Sequence, residues 1–152
     1  MSAQSYLRPG AVERIFGRLL TFFVRIGLIR GHFYILEVRG RSSGRTISHP
    51  VDPIEFEGHR YLVCPRGNSN WVRNTRAAGE VGLVRAMRRR YAVRELPPGM
   101  RSPILKAYLD RYAGEVQRFF PVPRGSPVEA FTDLAPRYPV FELLPLDEPA
   151  HG

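Results

Sequence analysis

Three arginines, two serines and two glycines fall within the seven residues Arg39 to Arg45, RGRSSGR. Guanidinium groups present planar, forked donors that match phosphate and carboxylate oxygens, and serine hydroxyls add further donors. The glycines, Gly40 and Gly44, let the backbone take positive φ and approach a ligand closely. Capture of an anionic group is the chemistry these residue types suggest. A strand–turn–strand element must present them. The β-prone run of Phe33, Tyr34, Ile35, Leu36 and Val38 enters the turn, and a second extended segment leaves it toward Pro50. Such an element can cradle an anion. The competing reading is a hairpin whose charged tip is simply solvated.

A second stretch, Pro65 to Gly79 (PRGNSNWVRNTRAAG), has the marks of a short helix. Asn68, Ser69 and Asn70 are all suitable N-caps. The helix should run from about Trp71 to Ala78 and stop at Gly79, a natural residue for a left-handed cap. Trp71, Asn74 and Ala78 then share one face, with Arg73 and Arg76 elsewhere. In the functional reading, the helix N-terminus and Arg66 face an anionic ligand. In the structural one, Trp71 anchors the core and Asn74 is a local cap. A third candidate pair is Tyr108 and Tyr112, four residues apart on one face of a later helix. They are either core aromatics with hydroxyls at the rim or proton donors in a pocket.

The balance of charge is consistent with an anionic partner. The chain of 152 residues carries a net charge of +9, and Lys106 is its only lysine. Arginine favours forked recognition of oxyanions over point-charge contact. Between Arg60 and Arg94 there are nine arginines and one acid, Glu80. Nucleic acid, an anionic membrane or an anionic cofactor would each suit such a surface. No recognised nucleic-acid reading element accompanies it, so no nucleic acid is expected. The histidines (His32, His49, His59 and His151) and the single cysteine, Cys64, show no metal-ligand spacing, and no metal is expected. A lone cysteine excludes an intrachain disulfide and suits a reducing, cytoplasmic setting. The sequence has no glycine-rich dinucleotide fingerprint, no Walker loop and no apolar run of membrane-spanning length.

One domain is expected over residues 1–152: a loose tail over 1–10, an amphipathic helix over 11–30, a β-rich body over 33–145 with a helical insert, and a tail over 146–152. In the first helix Val12, Ile15, Phe16, Leu19, Phe23 and Ile26 recur at helical spacing, with Arg14, Arg18 and Arg25 on the opposite face. It either docks on the body or lies on the inner face of the cell membrane as a peripheral contact. Strands follow at Ile54–Phe56, Tyr61–Cys64, Glu80–Arg85 and Arg90–Glu95. Ser102, as N-cap, and Pro103 open a helix to about Tyr112, continuing toward Phe120 after an interruption at Gly114. A short helix over Val128–Ala135 and a strand over Pro139–Leu144 close the order. About six antiparallel strands with helices at the margins make an α+β, mostly β fold, a small closed or split β-barrel.

Two motifs in this order resemble the deazaflavin (F420)-dependent nitroreductase family: Gly-Arg-x-Ser-Gly-Arg at Gly40 to Arg45, with Pro50 downstream, and Trp-x-x-Asn at Trp71 to Asn74. The similarity covers most of Ile15 to Leu144. It implies a split β-barrel of the flavin-reductase type and use of coenzyme F420, a deazaflavin with a phosphate and an oligoglutamate tail. It implies hydride transfer to a quinone, nitroaromatic or unsaturated small-molecule acceptor, a membrane quinone among them. By position, Arg41, Ser43, Gly44 and Arg45 would lie by the phosphate and tail. Trp71 and Asn74 would shape the cofactor groove, Arg66 to Asn70 would border it, and Tyr108 or Tyr112 would donate the proton. Two positions depart from the family pattern: Ser42 where a lysine is common, and Ile47 where an arginine is common. FMN, haem or a lipid on the same barrel is the alternative, and the protein is expected as a monomer or homodimer.

Overall fold

The computed structural model describes residues 34–146. The expected N-terminal tail and helix, and the C-terminal tail beyond Leu146, lie outside the described residues. The strands are β1 (Tyr34–Arg39), β2 (Thr46–Val51), β3 (Ile54–Phe56), β4 (His59–Val63), β5 (Glu80–Val84), β6 (Arg88–Glu95) and β7 (Val140–Pro145), one more than expected. Two α-helices, α1 (Asn70–Ala78) and α2 (Ser102–Val116), and several 3-10 turns complete it.

All strand pairs are antiparallel, in the order β2-β1-β5-β6-β7-β4-β3. The edge strands β2 and β3 are joined by Asp52 and Pro53 alone. Three Cα steps reach at most about 11 Å, whereas a flat sheet of this order would be about 29 Å wide at ~4.8 Å per strand. Asp52 and Pro53 therefore force the sheet to curl. The edges meet without pairing, and the result is a split β-barrel.

Side chains alternate between two cores, as strand geometry requires. On β4, Leu62 faces the barrel interior together with Cys64 just beyond the strand, while Tyr61 and Val63 face outward toward α2. On β7, Phe141 and Leu143 face inward and Val140 outward. The interior core also takes Trp71 and Val72 from α1, so α1 caps one end of the barrel. The outer core buries Leu105, Leu109, Tyr108, Tyr112 and Phe131 between α2, the 3-10 turns and the sheet.

Local signals explain most element ends. Glu57 and Gly58 both have positive φ, 50° and 83°, which gives the β3–β4 hairpin the twist of a primed turn. Ser69 is the N-cap of α1, and Gly79 closes it at φ 78° with its N–H donated to the Thr75 carbonyl. The start of α2 differs by one residue from the expectation: Arg101, not Ser102, is its N-cap. The Arg101 guanidinium is buried and donates to the carbonyls of Leu96, Ala135 and Tyr138, which fixes the entry of the chain. The break in α2 falls at Tyr112 (φ −111°, ψ 23°) rather than Gly114. There the Tyr112 hydroxyl donates to the Pro53 carbonyl at 2.5 Å. The stretch expected as a helix over Val128–Ala135 holds a 3-10 turn, Val128–Phe131, and a second one follows at Ala135–Arg137, where Pro136 removes an N–H.

Candidate functional site

The two sequence motifs meet at the α1 end of the barrel. The turn after β1 closes on itself: the Gly40 N–H donates to the Arg45 carbonyl at 2.7 Å, and the Gly44 N–H to the Gly40 carbonyl at 2.9 Å. Gly44 takes φ 76°. At Gly40 the need for glycine is steric. A Cβ would lie 2.8 Å from Ile47 Cδ1, 2.9 Å from Ser43 Oγ and 3.3 Å from the Arg45 carbonyl oxygen. Ser43 Oγ accepts the Arg45 N–H at 3.1 Å.

Arg41 latches this turn to α1. Its backbone N–H donates to Asn74 Oδ1 at 3.1 Å, its Nη1 to the same oxygen at 2.6 Å, and its Nη2 to Asn70 Oδ1 at 3.4 Å. Asn74 is only 3% exposed, so its carbonyl oxygen needs these donors. The residues of both motifs thus interlock: Arg41, Asn70 and Asn74 bond directly, and Trp71 sits on the helix between the two asparagines.

Beside the latch, Trp71 stands between His49 (ring centroids 6.1 Å apart) and Phe141 (6.2 Å). His49 lies on β2 on the same face as Ile47 and Val51. His49 is exposed at the barrel edge, but desolvation of its ring, and secondarily the positive Arg66, hold the imidazole below its usual range. Arg66 also stacks over the Phe119 ring at 4.8 Å. Phe119 is partly buried, and the next residue, Phe120, lies 6.4 Å from Tyr108.

Charge at this end is one-sided. Neither Val38–Val51 nor Pro65–Gly79 contains an acid, and together they hold Arg39, Arg41, Arg45, Arg66, Arg73 and Arg76. Arg76 is neutralised by Glu95 at 2.7 Å. Arg41 is held by the two asparagines. Arg45 and Arg66 have no carboxylate partner among the described residues. The donor set left open therefore includes Arg45, Arg66 and the Ser43 hydroxyl, beside Arg39 and Arg73, which also have no carboxylate partner among the described residues, and it suits an anion.

Tyr108 and Tyr112 pack edge to face at 5.4 Å in the outer core, on α2 rather than on the latch. Burial, and secondarily the Asp52 carboxylate, raise the Tyr108 phenol above its usual range. Burial also raises Tyr112. The Tyr112 hydroxyl is bonded to Pro53, whereas the Tyr108 hydroxyl makes no hydrogen bond among the described residues. Sequence reasoning missed His49 and gave Phe119 no part in the site. His49 could have been found from the alternation Ile47, His49, Val51, which places it on the inward face of β2. Phe119 is set by the path of the chain after α2, which no local signal encodes.

Comparison with known proteins agrees with this architecture. No family model and no curated protein matches the chain. Solved structures do. One described as an F420 reductase has a TM-score of 0.53, with 14% identity over 78% of this chain and 89% of that one. One described as a domain-swapped dimer has a TM-score of 0.52, with 17% identity over 90% of this chain and 99% of that one. A NimC/NimA family protein from Clostridium acetobutylicum has a TM-score of 0.51, with 12% identity over 74% of this chain and 73% of that one. The chain shares the split-barrel fold of these proteins. No described helix is long and apolar enough to cross a membrane.

Proposed function

We propose that this protein is an F420-dependent oxidoreductase that reduces a small-molecule acceptor, a quinone, nitroaromatic or unsaturated compound. The carrying observation is the interlocked turn and helix, on two acid-free stretches of chain, that leave Arg45, Arg66 and Ser43 open at this end of the barrel. The F420 reductase described above has this fold, which supports the reading. The donor set fits the group: a phosphate and a carboxylate-rich tail need several cationic donors, and two guanidiniums without carboxylate partners supply them. When bound, the deazaflavin supplies the hydride.

In this reading the chain's own residues have distinct tasks. Arg45, Arg66 and Ser43 bind the phosphate and tail. Arg41 holds the turn at its working distance from α1, with Asn70 and Asn74 as its anchors, and Gly44 completes the turn. Trp71 and His49 form the wall of the groove. Tyr108, whose phenol stays protonated through the neutral range, is the proposed proton donor, with Tyr112 packed beside it. A domain-swapped dimer on the same fold is compatible with a homodimer.

The test is oxidation of reduced F420 by the full chain with menadione, a nitroaromatic and an enone as separate acceptors. Turnover with at least one acceptor is expected. Tyr108→Phe should lower kcat by about tenfold or more. Absence of turnover with every acceptor would oppose the enzyme reading. FMN or haem on the same barrel is a second reading, favoured by Ser42 and Ile47 at positions where family members carry cations. Ile47 packs against Gly40 instead of reaching for an anion. Parallel titration with FMN and haem separates the two.

A further inference from the structure

The end of the barrel opposite α1 carries a second, chemically different cavity. It is framed by the starts of β1, β4 and β6 and the ends of β5 and β7, and has a volume of about 760 Å³. Tyr34, on its wall, is five residues along β1 from Arg39 beside the latch, a distance of about 17 Å at strand rise. The two ends are therefore separate sites.

The floor is apolar and buried: Leu83 and Leu143 belong to the interior core. The rim is cationic. Arg60, Arg85 and Arg89 line the cavity, and no carboxylate does. Arg60 and Arg85 both lie over the Tyr34 ring, at 5.6 Å and 5.5 Å from its centroid. Two guanidiniums on one ring repel each other unless an anion offsets them. Arg60 is paired with Glu55 at 2.9 Å outside the cavity, but Arg85 and Arg89 have no carboxylate partner among the described residues. An adjoining cavity of about 310 Å³ shares Tyr34, Arg60 and Arg85 and adds a further cation, Arg111, together with Glu55, the carboxylate that pairs with Arg60. At the turn between β5 and β6, Met87 is 59% exposed, an apolar side chain set among arginines.

An apolar floor below a rim with two guanidiniums, Arg85 and Arg89, that lack a carboxylate partner is complementary to one ligand class, a molecule with a phosphate or carboxylate head and an apolar body. We infer that this end of the barrel is a binding site for such an anionic amphiphile. The head lies between Arg85 and Arg89, and the body lies on Leu83 and Leu143. The site is independent of whether the α1 end binds a deazaflavin.

Calorimetric titration of the full chain with octyl phosphate and octanoate tests this. Octyltrimethylammonium and inorganic phosphate serve as controls, and vesicles of phosphatidylcholine with and without phosphatidylglycerol are run separately. Saturable one-site binding of octyl phosphate is expected, at least about tenfold tighter than inorganic phosphate, with no saturable binding of the ammonium compound. The double variant Arg85→Gln/Arg89→Gln, whose positions lie at the rim and whose fold is checked by circular dichroism, should weaken octyl phosphate about tenfold or more. Octyl phosphate affinity should be unchanged when F420 is present. Equal binding of the cationic amphiphile, or unchanged affinity in the double variant, would overturn the site. Adsorption to phosphatidylglycerol vesicles without saturable octyl phosphate binding would also overturn it, in favour of a surface contact.

Discussion

At the scale of single residues, arginines with similar surroundings in the sequence do different work. Arg41 is held by Asn74 and Asn70, so its loss removes hydrogen bonds to a buried amide. Arg41→Ala should cost about 1–3 kcal/mol of stability in urea unfolding. Arg45→Ala, at a position without a carboxylate partner, should stay within about 0.5 kcal/mol of the parent, and Arg66→Ala, which also loses its stacking on Phe119, within about 1 kcal/mol. These two should instead weaken an anion at the α1 end. The sequence places all three arginines near an anion but does not separate latch from ligand, because the partner of Arg41 lies 33 residues away. Glu142 is a further case. It is buried on β7, bonded to Arg94 and, at 2.8 Å, to His59 Nδ1. The Arg94 hydrogen bond holds its carboxyl below the usual range despite burial. A depressed folded pKa means that Glu142 contributes stability above its unfolded pKa and loses it as pH falls through the folded one. Acid unfolding of Glu142→Gln should therefore be less steep than that of the parent below about pH 4.5, as read by circular dichroism against pH.

At the scale of elements, the strands and α1 were legible because their signals are local. The alternation along β4 and β7, the glycine in the β3–β4 hairpin and the Ser69 to Gly79 frame of α1 are each complete within about ten residues. The ends of α2 were not. Its N-cap belongs to Arg101 because distant carbonyls of Ala135 and Tyr138 accept that side chain. Its break falls at Tyr112, where Pro53, 59 residues earlier, accepts the phenol. The same distinction governs mutations. Gly79→Ala leaves every contact in place but forces alanine into φ 78°, which should cost about 1 kcal/mol. Gly40→Ala drives a methyl against Ile47, Ser43 and the Arg45 carbonyl. It should cost about 1–3 kcal/mol and also displace the turn that presents Arg45. A thermal melt with an anion-binding assay on each variant separates the two, since Gly79→Ala should leave binding intact.

At the scale of the whole molecule, the split barrel is one scaffold, and we propose a separate site at each of its two ends. Joining its edge strands by Asp52 and Pro53 curls the sheet, and the curl brings β2 with His49 over α1 with Trp71. The fold class was readable from strand count and order; the meeting of β2, the Pro65–Asn70 segment and Phe119 was not, because it depends on closure. The net charge of +9 gives the molecule a general attraction for anions that salt screens. Local geometry must therefore be tested against that background. His49 offers one handle: an anion seated beside Arg66 favours the protonated imidazole, so anion affinity should rise as pH falls from about 7 toward 5. The central claim is that the α1 end binds the anionic deazaflavin through Arg45 and Arg66. The most direct measurement is a fluorescence titration of oxidised F420 with the full chain, the Arg45→Ala and Arg66→Ala variants, and the Arg85→Gln/Arg89→Gln variant as a control that removes two charges, one more than either single variant, at the other end. The account predicts saturable binding, weakened about tenfold by each of the first two substitutions and unaffected by the control. No saturable binding, or equal weakening by the control, would contradict it.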